Sequence, residues 1–99
     1  MLTRIVKMKF KEKHLNDFFL FFNQVNTKIS SFDGCKGMRL IQDINDPTII
    51  FTYSEWENEK ALNNYRNSEL FLLVWPKVKA FFSEKTQAWS LNTKFNGFP

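Results

Sequence analysis

Between residues 51 and 82 the apolar residues change period once, and that change limits the folds open to the chain. Phe51-Thr52-Tyr53-Ser54-Glu55-Trp56 is rich in β-branched and aromatic residues, as a half-buried strand requires. From Asn58 onward the large apolar residues fall three and four apart, the spacing of one helix face. Tyr65, Arg66, Phe71, Trp75, Val78, Phe81 and Phe82 lie in this helical region. The stretch holds the densest apolar stripe of the chain and, with it, the expected pocket.

The same two periods order the rest. Residues 2–10 alternate: Leu2, Val6, Met8 and Phe10 share one parity with Arg4, which predicts a strand with one apolar face. Residues 11–31 read as a helix whose stripe is Leu15, Phe18, Phe19, Phe22, Val25 and Ile29. Leu20 and Phe21 lie off the centre of that stripe and point to a partner surface. Phe32-Asp33-Gly34-Cys35-Lys36-Gly37 reads as a turn, because its glycines accept positive φ. A second strand is expected over 38–44, then a hairpin connection at Asn45-Asp46-Pro47. The third strand, 48–56, is apolar on both parities at Ile49, Ile50 and Phe51, which suggests burial on both faces.

Two caps compete after that strand. Ser54-Glu55-Trp56-Glu57 fits the S-x-x-E capping box. Asn58 also caps, and it is preferred because Trp56 then closes the strand on the parity of Thr52 and Ser54. The helix at 59–67 turns Ala61, Leu62 and Tyr65 inward. Ser68 caps a further helix with the stripe Phe71, Val74, Trp75, Val78, Phe81 and Phe82. Pro76 is expected to kink or break it, since proline removes one helical bond. A last strand follows at 85–92. The tail, 93–99, carries Phe95 and Phe98 and is expected to pack on a partner subunit.

The order is therefore β-α-β-β-α-β, an α+β ferredoxin-like fold with an antiparallel four-stranded sheet and helices on one face. At 99 residues the chain makes one domain, and 12 phenylalanines are enough to give it an aromatic core. The other sheet face carries Ile, Trp or Leu on several strands. A second sheet is the simplest cover, so a homodimer is expected. The net charge of +4 keeps the chain in solution without demanding an anionic macromolecule. Lys7, Lys9, Lys11 and Lys13 alternate as a solvated strand end would. The single cysteine, Cys35, allows no internal disulfide, and no segment approaches a membrane span or a signal core. A cytoplasmic protein without a membrane partner is expected.

Several motifs, taken in order, resemble a known family. They are the alternation of the first strand, the Phe-rich helix, Phe32-Asp33-Gly34-Cys35-Lys36-Gly37, and Tyr53-Ser54-Glu55-Trp56. Ala61-Leu62, Tyr65-Arg66, Ser68-Glu69-Leu70-Phe71 and Trp75 complete the series. The chain resembles the antibiotic biosynthesis monooxygenase domain of the dimeric α/β-barrel superfamily over about residues 2–91. The resemblance implies a homodimer whose two sheets form a barrel, with a pocket between sheet and helices in each subunit. It implies, for one branch, oxygenation of small quinol- or anthrone-like aromatics by O2 without metal or flavin. Another branch degrades haem and places a histidine on the helix after the third strand. Here that region holds Tyr65 and Arg66, so no cofactor is expected. Trp56 matches the tryptophan that ends the third strand and borders the family's pocket.

Trp56, Tyr65, Arg66 and Trp75 are thus the candidate pocket residues; the indole N–H, phenol O–H and guanidinium offer donors to a phenolate or enolate. The plainer reading makes Trp56 and Trp75 core, Tyr65 half-buried, and Arg66 a surface partner of Glu57 or Glu69. His14, near the start of the first helix, has no partner motif for base catalysis. Nothing in the sequence marks Cys35, in its glycine-flanked loop, as a reactive thiol. Ser54 lacks a nucleophile elbow, and no cluster has metal-ligand spacing. The RNA-recognition motif shares the element order, and Phe51 and Tyr53 stand two apart like its stacking aromatics. Its Lys/Arg-Gly start is missing, and Ile5-Val6-Lys7-Met8 brings no stacking ring, so no nucleic-acid partner is expected.

Overall fold

A computed structural model describes residues 1–99. The elements run β1 (Leu2–Lys9), α1 (Leu15–Ser30), β2 (Cys35–Gln42), β3 (Ile49–Trp56), α2 (Glu59–Arg66), α3 (Glu69–Lys79) and β4 (Gln87–Asn92). The strands form one antiparallel sheet in the order β2-β3-β1-β4. This is the expected βαββαβ ferredoxin-like arrangement.

Parity decides what each strand residue meets. Met8, Ile50 and Trp56 face the helices and are buried together with Phe10, just past β1. Met8, Phe10 and Ile50 pack under Phe18, Phe21, Val25 and Ile29 of α1 and Val74 and Val78 of α3, whereas Trp56 packs with Ala61 and Leu62 of α2. Phe10 stacks on Phe18 with ring centroids 4.2 Å apart. The opposite face carries Ile5 beside Tyr53 of β3 and Trp89 of β4. Phe51 stands beside Ile41 there, and Leu91 beside Thr3. Ile41, Trp89 and Leu91 are solvent-exposed.

Several expectations need correction. The first helix does not start at residue 11: a 3₁₀ turn, Glu12–His14, precedes α1. The backbone N–H of Phe10 bonds the Thr48 carbonyl and that of Lys11 bonds the Phe81 carbonyl, so the chain here is still tied to extended structure. Phe21 is not on a partner surface. It is buried in the core, while its neighbour Leu20 is 64% exposed. The second strand begins at Cys35, because Gly34 takes φ 88° and turns the chain early. Cys35 then pairs with Trp56 and Gly37 with Glu55, leaving Lys36 as a bulge. That strand ends before Ile44, where Asp43 Oδ1 accepts the backbone N–H groups of Asn45 and Asp46.

Pro76 does not break its helix: α3 runs unbroken across it. The missing N–H would have served the carbonyl of Leu72, and both residues lie on the exposed side, where that carbonyl is open to solvent. Both preferred caps are present. Asn58 Oδ1 accepts the Ala61 N–H at 2.9 Å, and Ser68 Oγ accepts the Phe71 N–H at 3.2 Å. The helix ends at Lys79, and Phe82, expected inside it, instead forms an isolated bridge with Phe10. Phe95 and Phe98 of the tail are exposed.

Candidate functional site

Sheet and helices do not close completely on each other. Between them lies a cavity of about 290 Å³ with a mostly apolar wall. Its floor is the helix-facing parity of β1 and β3: Arg4, Val6 and Met8, then Thr52, Ser54 and Trp56. Phe18 and Phe22 of α1 form one side, and Tyr65, Arg66, Phe71 and Trp75 of α2 and α3 form the roof. All four residues singled out from the sequence, Trp56, Tyr65, Arg66 and Trp75, border this one space.

Three of them belong to a ladder of aromatic rings. Trp56 stacks on Tyr65 at 5.1 Å between centroids, and Tyr65 meets Phe71 edge-on at 5.3 Å. Phe71 then stacks on Trp75 at 5.7 Å. Offset and edge contacts of this kind hold rings in fixed orientations. The roof is therefore a pre-set wall and not a loose cluster.

The polar groups of the wall differ in how far they are committed. Trp56 is 1% exposed, and its indole Nε1 donates to Ser54 Oγ at 3.0 Å. Ser54 in turn donates to the Arg4 carbonyl at 3.4 Å. The indole N–H is thus spent inside the fold. Tyr65 is different: its hydroxyl makes no hydrogen bond to protein, and burial, with a smaller push from the nearby Cys35 thiol, raises its pKa to about 12. It stays a proton donor at neutral pH. Arg66 pairs with neither Glu57 nor Glu69; Lys9 makes ion pairs with Asp46 and Glu84, and His14 lies against Asp17.

Arg4 was not singled out from the sequence, although a signal was there. It is the one charge on the otherwise apolar parity of β1. Its Nη1 donates to Ser90 Oγ on β4 at 2.9 Å. Burial, then the like charge of Arg66, pulls its pKa below the usual guanidinium value.

The remaining candidates lie elsewhere. His14 Nδ1 sits 3.0 Å from Asp17 Oδ2, and its ring leans on Phe81, away from the cavity. Cys35 Sγ contacts the Gly37 carbonyl at 3.7 Å. Tyr53 is on the far sheet face, where its hydroxyl donates to Glu55 Oε1 at 2.7 Å. No group of His, Cys, Asp and Glu is placed to hold a metal ion.

The family model for antibiotic biosynthesis monooxygenase matches residues 1–75. The chain belongs to the antibiotic biosynthesis monooxygenase family. The matched span includes Arg4, Trp56, Tyr65, Arg66 and Trp75 and stops short of β4. Solved structures share the fold of this family member. A conserved protein of Methanosarcina mazei Go1 superposes with a TM-score of 0.88 at 20% identity, over 95% of this chain and 94% of that one. A solved antibiotic biosynthesis monooxygenase gives 0.88 at 19% identity, over 94% and 98%. The protein Rv0793 of Mycobacterium tuberculosis gives 0.87 at 13% identity, over 98% of both chains. No curated protein matches the sequence. No helix is long and apolar enough to cross a membrane.

Proposed function

We propose that the protein is a monooxygenase that uses O2 to oxidise a small quinol- or anthrone-like aromatic in the cavity between sheet and helices. Family membership supports the reaction class. The observation that carries the site is the apolar, ring-lined cavity that joins Tyr65 and Arg66 on its roof. Such a substrate supplies its own electrons. Loss of a proton gives a carbanion or phenolate, which adds O2 to form a hydroperoxide at carbon. Loss of water then leaves a carbonyl, so CH2 and O2 become C=O and H2O. Within this scheme the Tyr65 hydroxyl donates a hydrogen bond to the developing anion and Arg66 supplies positive charge. No cofactor has a place in the scheme.

One observation favours a second reading, a dimeric small-ligand-binding module without catalysis. No Asp, Glu, His or Lys borders the cavity, so no side chain of that kind is placed to take the substrate's proton. The oxygenase reading then requires a substrate acidic enough to lose its proton to solvent beside the guanidinium groups. O2 uptake with purified protein and a panel of quinols and anthrones separates the two. Uptake that falls in Tyr65→Phe and Arg66→Gln supports the oxygenase; binding with no uptake across the panel supports the module.

The proposed working form is a cytoplasmic homodimer. The apolar outer sheet face, with Ile5, Ile41, Phe51, Trp89 and Leu91, supports sheet-to-sheet pairing into a barrel.

A further inference from the structure

The cavity wall holds two cations and no anion. Arg4 comes from β1 and Arg66 from the last turn of α2, and both border the same apolar space. Neither takes part in any ion pair. Arg4 spends one donor on Ser90 Oγ, and Arg66 makes no side-chain hydrogen bond to protein. Arg4 is half-buried and Arg66 exposed, and an anion in the cavity would meet both guanidinium groups with no carboxylate competing for them. Burial, and then the like charge of Arg66, lowers the pKa of Arg4. A guanidinium fork matches a carboxylate geometrically, through paired N–H donors. Beyond the two arginines the wall includes Met8, Phe18, Phe22 and Trp75, a mostly apolar surface suited to a flat apolar body.

We propose that the cavity selects an aromatic carboxylic acid, its ring system held between sheet and helices and its carboxylate held between Arg4 and Arg66. Arg4 is then a specificity-determining residue. The inference rests on the reading above for the place of the substrate but not for its oxidation.

The probes are naphthoate and the neutral naphthalene methanol of similar shape, titrated calorimetrically into the whole protein. Wild type is expected to bind naphthoate at least roughly tenfold more tightly, the worth of about one charge-assisted hydrogen bond. Arg66→Gln, at an exposed position, and Arg4→Gln, checked for folding by circular dichroism, are each expected to erase that preference and keep the affinity for the alcohol. Equal affinities in the wild type overturn the proposal. So does a failure of naphthoate to bind, or a preference that survives in both variants. O2 uptake is read separately. An anion preference without uptake leaves the proposal standing and removes the oxygenase reading; uptake of neutral anthrones without an anion preference does the reverse.

Discussion

The indole N–H of Trp56 donates to Ser54 Oγ at 3.0 Å, two residues back on the same face of β3. Ser54 is buried, and its hydroxyl also reaches the Arg4 carbonyl. Ser54→Ala leaves a buried donor without a partner, a cost of about 1–3 kcal/mol. Trp56→Phe removes the donor along with part of a packed ring. A double-mutant cycle in urea is expected to show favourable coupling of about 1 kcal/mol between the two positions. Additive losses would mean that the hydrogen bond contributes nothing to stability. Where turnover is measured, Trp56→Phe lowers it through the shape of the cavity wall, because the N–H is already engaged.

The Tyr65 hydroxyl gives the fold a one-sided pH dependence. Its pKa is raised from 10.0 to about 12, mainly by burial. Below pH 10 both folded and unfolded chains hold the proton, and stability does not depend on this group. Above it the unfolded chain releases the proton first, so stability falls as pH rises and levels off past the folded value. The loss is at most about 3 kcal/mol, reduced by whatever solvent reaches the ring. Denaturant unfolding between neutral pH and strong base is expected to show this decline in wild type and a shallower one in Tyr65→Phe. The other tyrosine, Tyr53, is also raised, through its hydrogen bond to Glu55, so the variant does not become flat.

Leu20 and Phe21 show where sequence reasoning stops. At helical spacing, the row Phe18, Phe21, Val25 and Ile29 is as regular as the row Leu15, Phe18, Phe22, Val25 and Ile29. Only the position of α3 chooses between them, and it places Lys77 Nζ 4.9 Å from the centre of the Phe21 ring. Phe21→Ala is expected to cost about 3–5 kcal/mol, as a core truncation does. Leu20→Ala is expected to stay within about 0.5 kcal/mol. Thermal or chemical unfolding of the pair distinguishes this from a shared surface, where neither change would matter much to the monomer.

The element order was legible because β1 keeps a period of two and α1 and α3 a period of three and four, while β3 stands out by its β-branched and aromatic content. Both helix caps were legible because Asn58 and Ser68 stand just before their stripes. Long-range pairing was not. Cys35 and Gly37 belong to β2 only because Trp56 and Glu55 lie opposite, and a glycine-flanked hexapeptide reads locally as a turn. The site was half visible. Its aromatic roof follows from the stripe, whereas Arg4 lies on the first strand, far earlier in the chain, and only its parity betrayed that it faces the cavity.

The outer sheet face gives the dimer a direct test. Ile5 lies between Tyr53 and Trp89 across three strands, and Phe51 stands next to Ile41. Phe51→Glu combined with Trp89→Glu places like charges on what is proposed to be a sealed apolar surface. Sedimentation is expected to show a dimer in wild type and a monomer in the double variant, with unchanged far-ultraviolet circular dichroism. A wild-type monomer at high concentration removes the barrel.

Gly34 ties the roof of the cavity to the sheet. It holds φ 88°, and a Cβ built there would lie 2.5 Å from Ala61 Cβ, in the first turn of α2. Its carbonyl also accepts the Glu57 N–H at 2.8 Å. Gly34→Ala therefore meets two separate penalties. The left-handed conformation alone costs about 1–2 kcal/mol. The clash adds to it by pushing α2, which carries Tyr65 and Arg66, away from β3. Ala61→Gly removes the clash but not the backbone strain, and by itself weakens the helix by about 1 kcal/mol. The double variant is thus expected to be less destabilised in urea than the sum of the singles. It is also expected to recover naphthoate affinity lost in Gly34→Ala, because α2 returns to its place over the cavity. Strict additivity, or an unaffected Gly34→Ala, would show that this loop does not set the height of the roof.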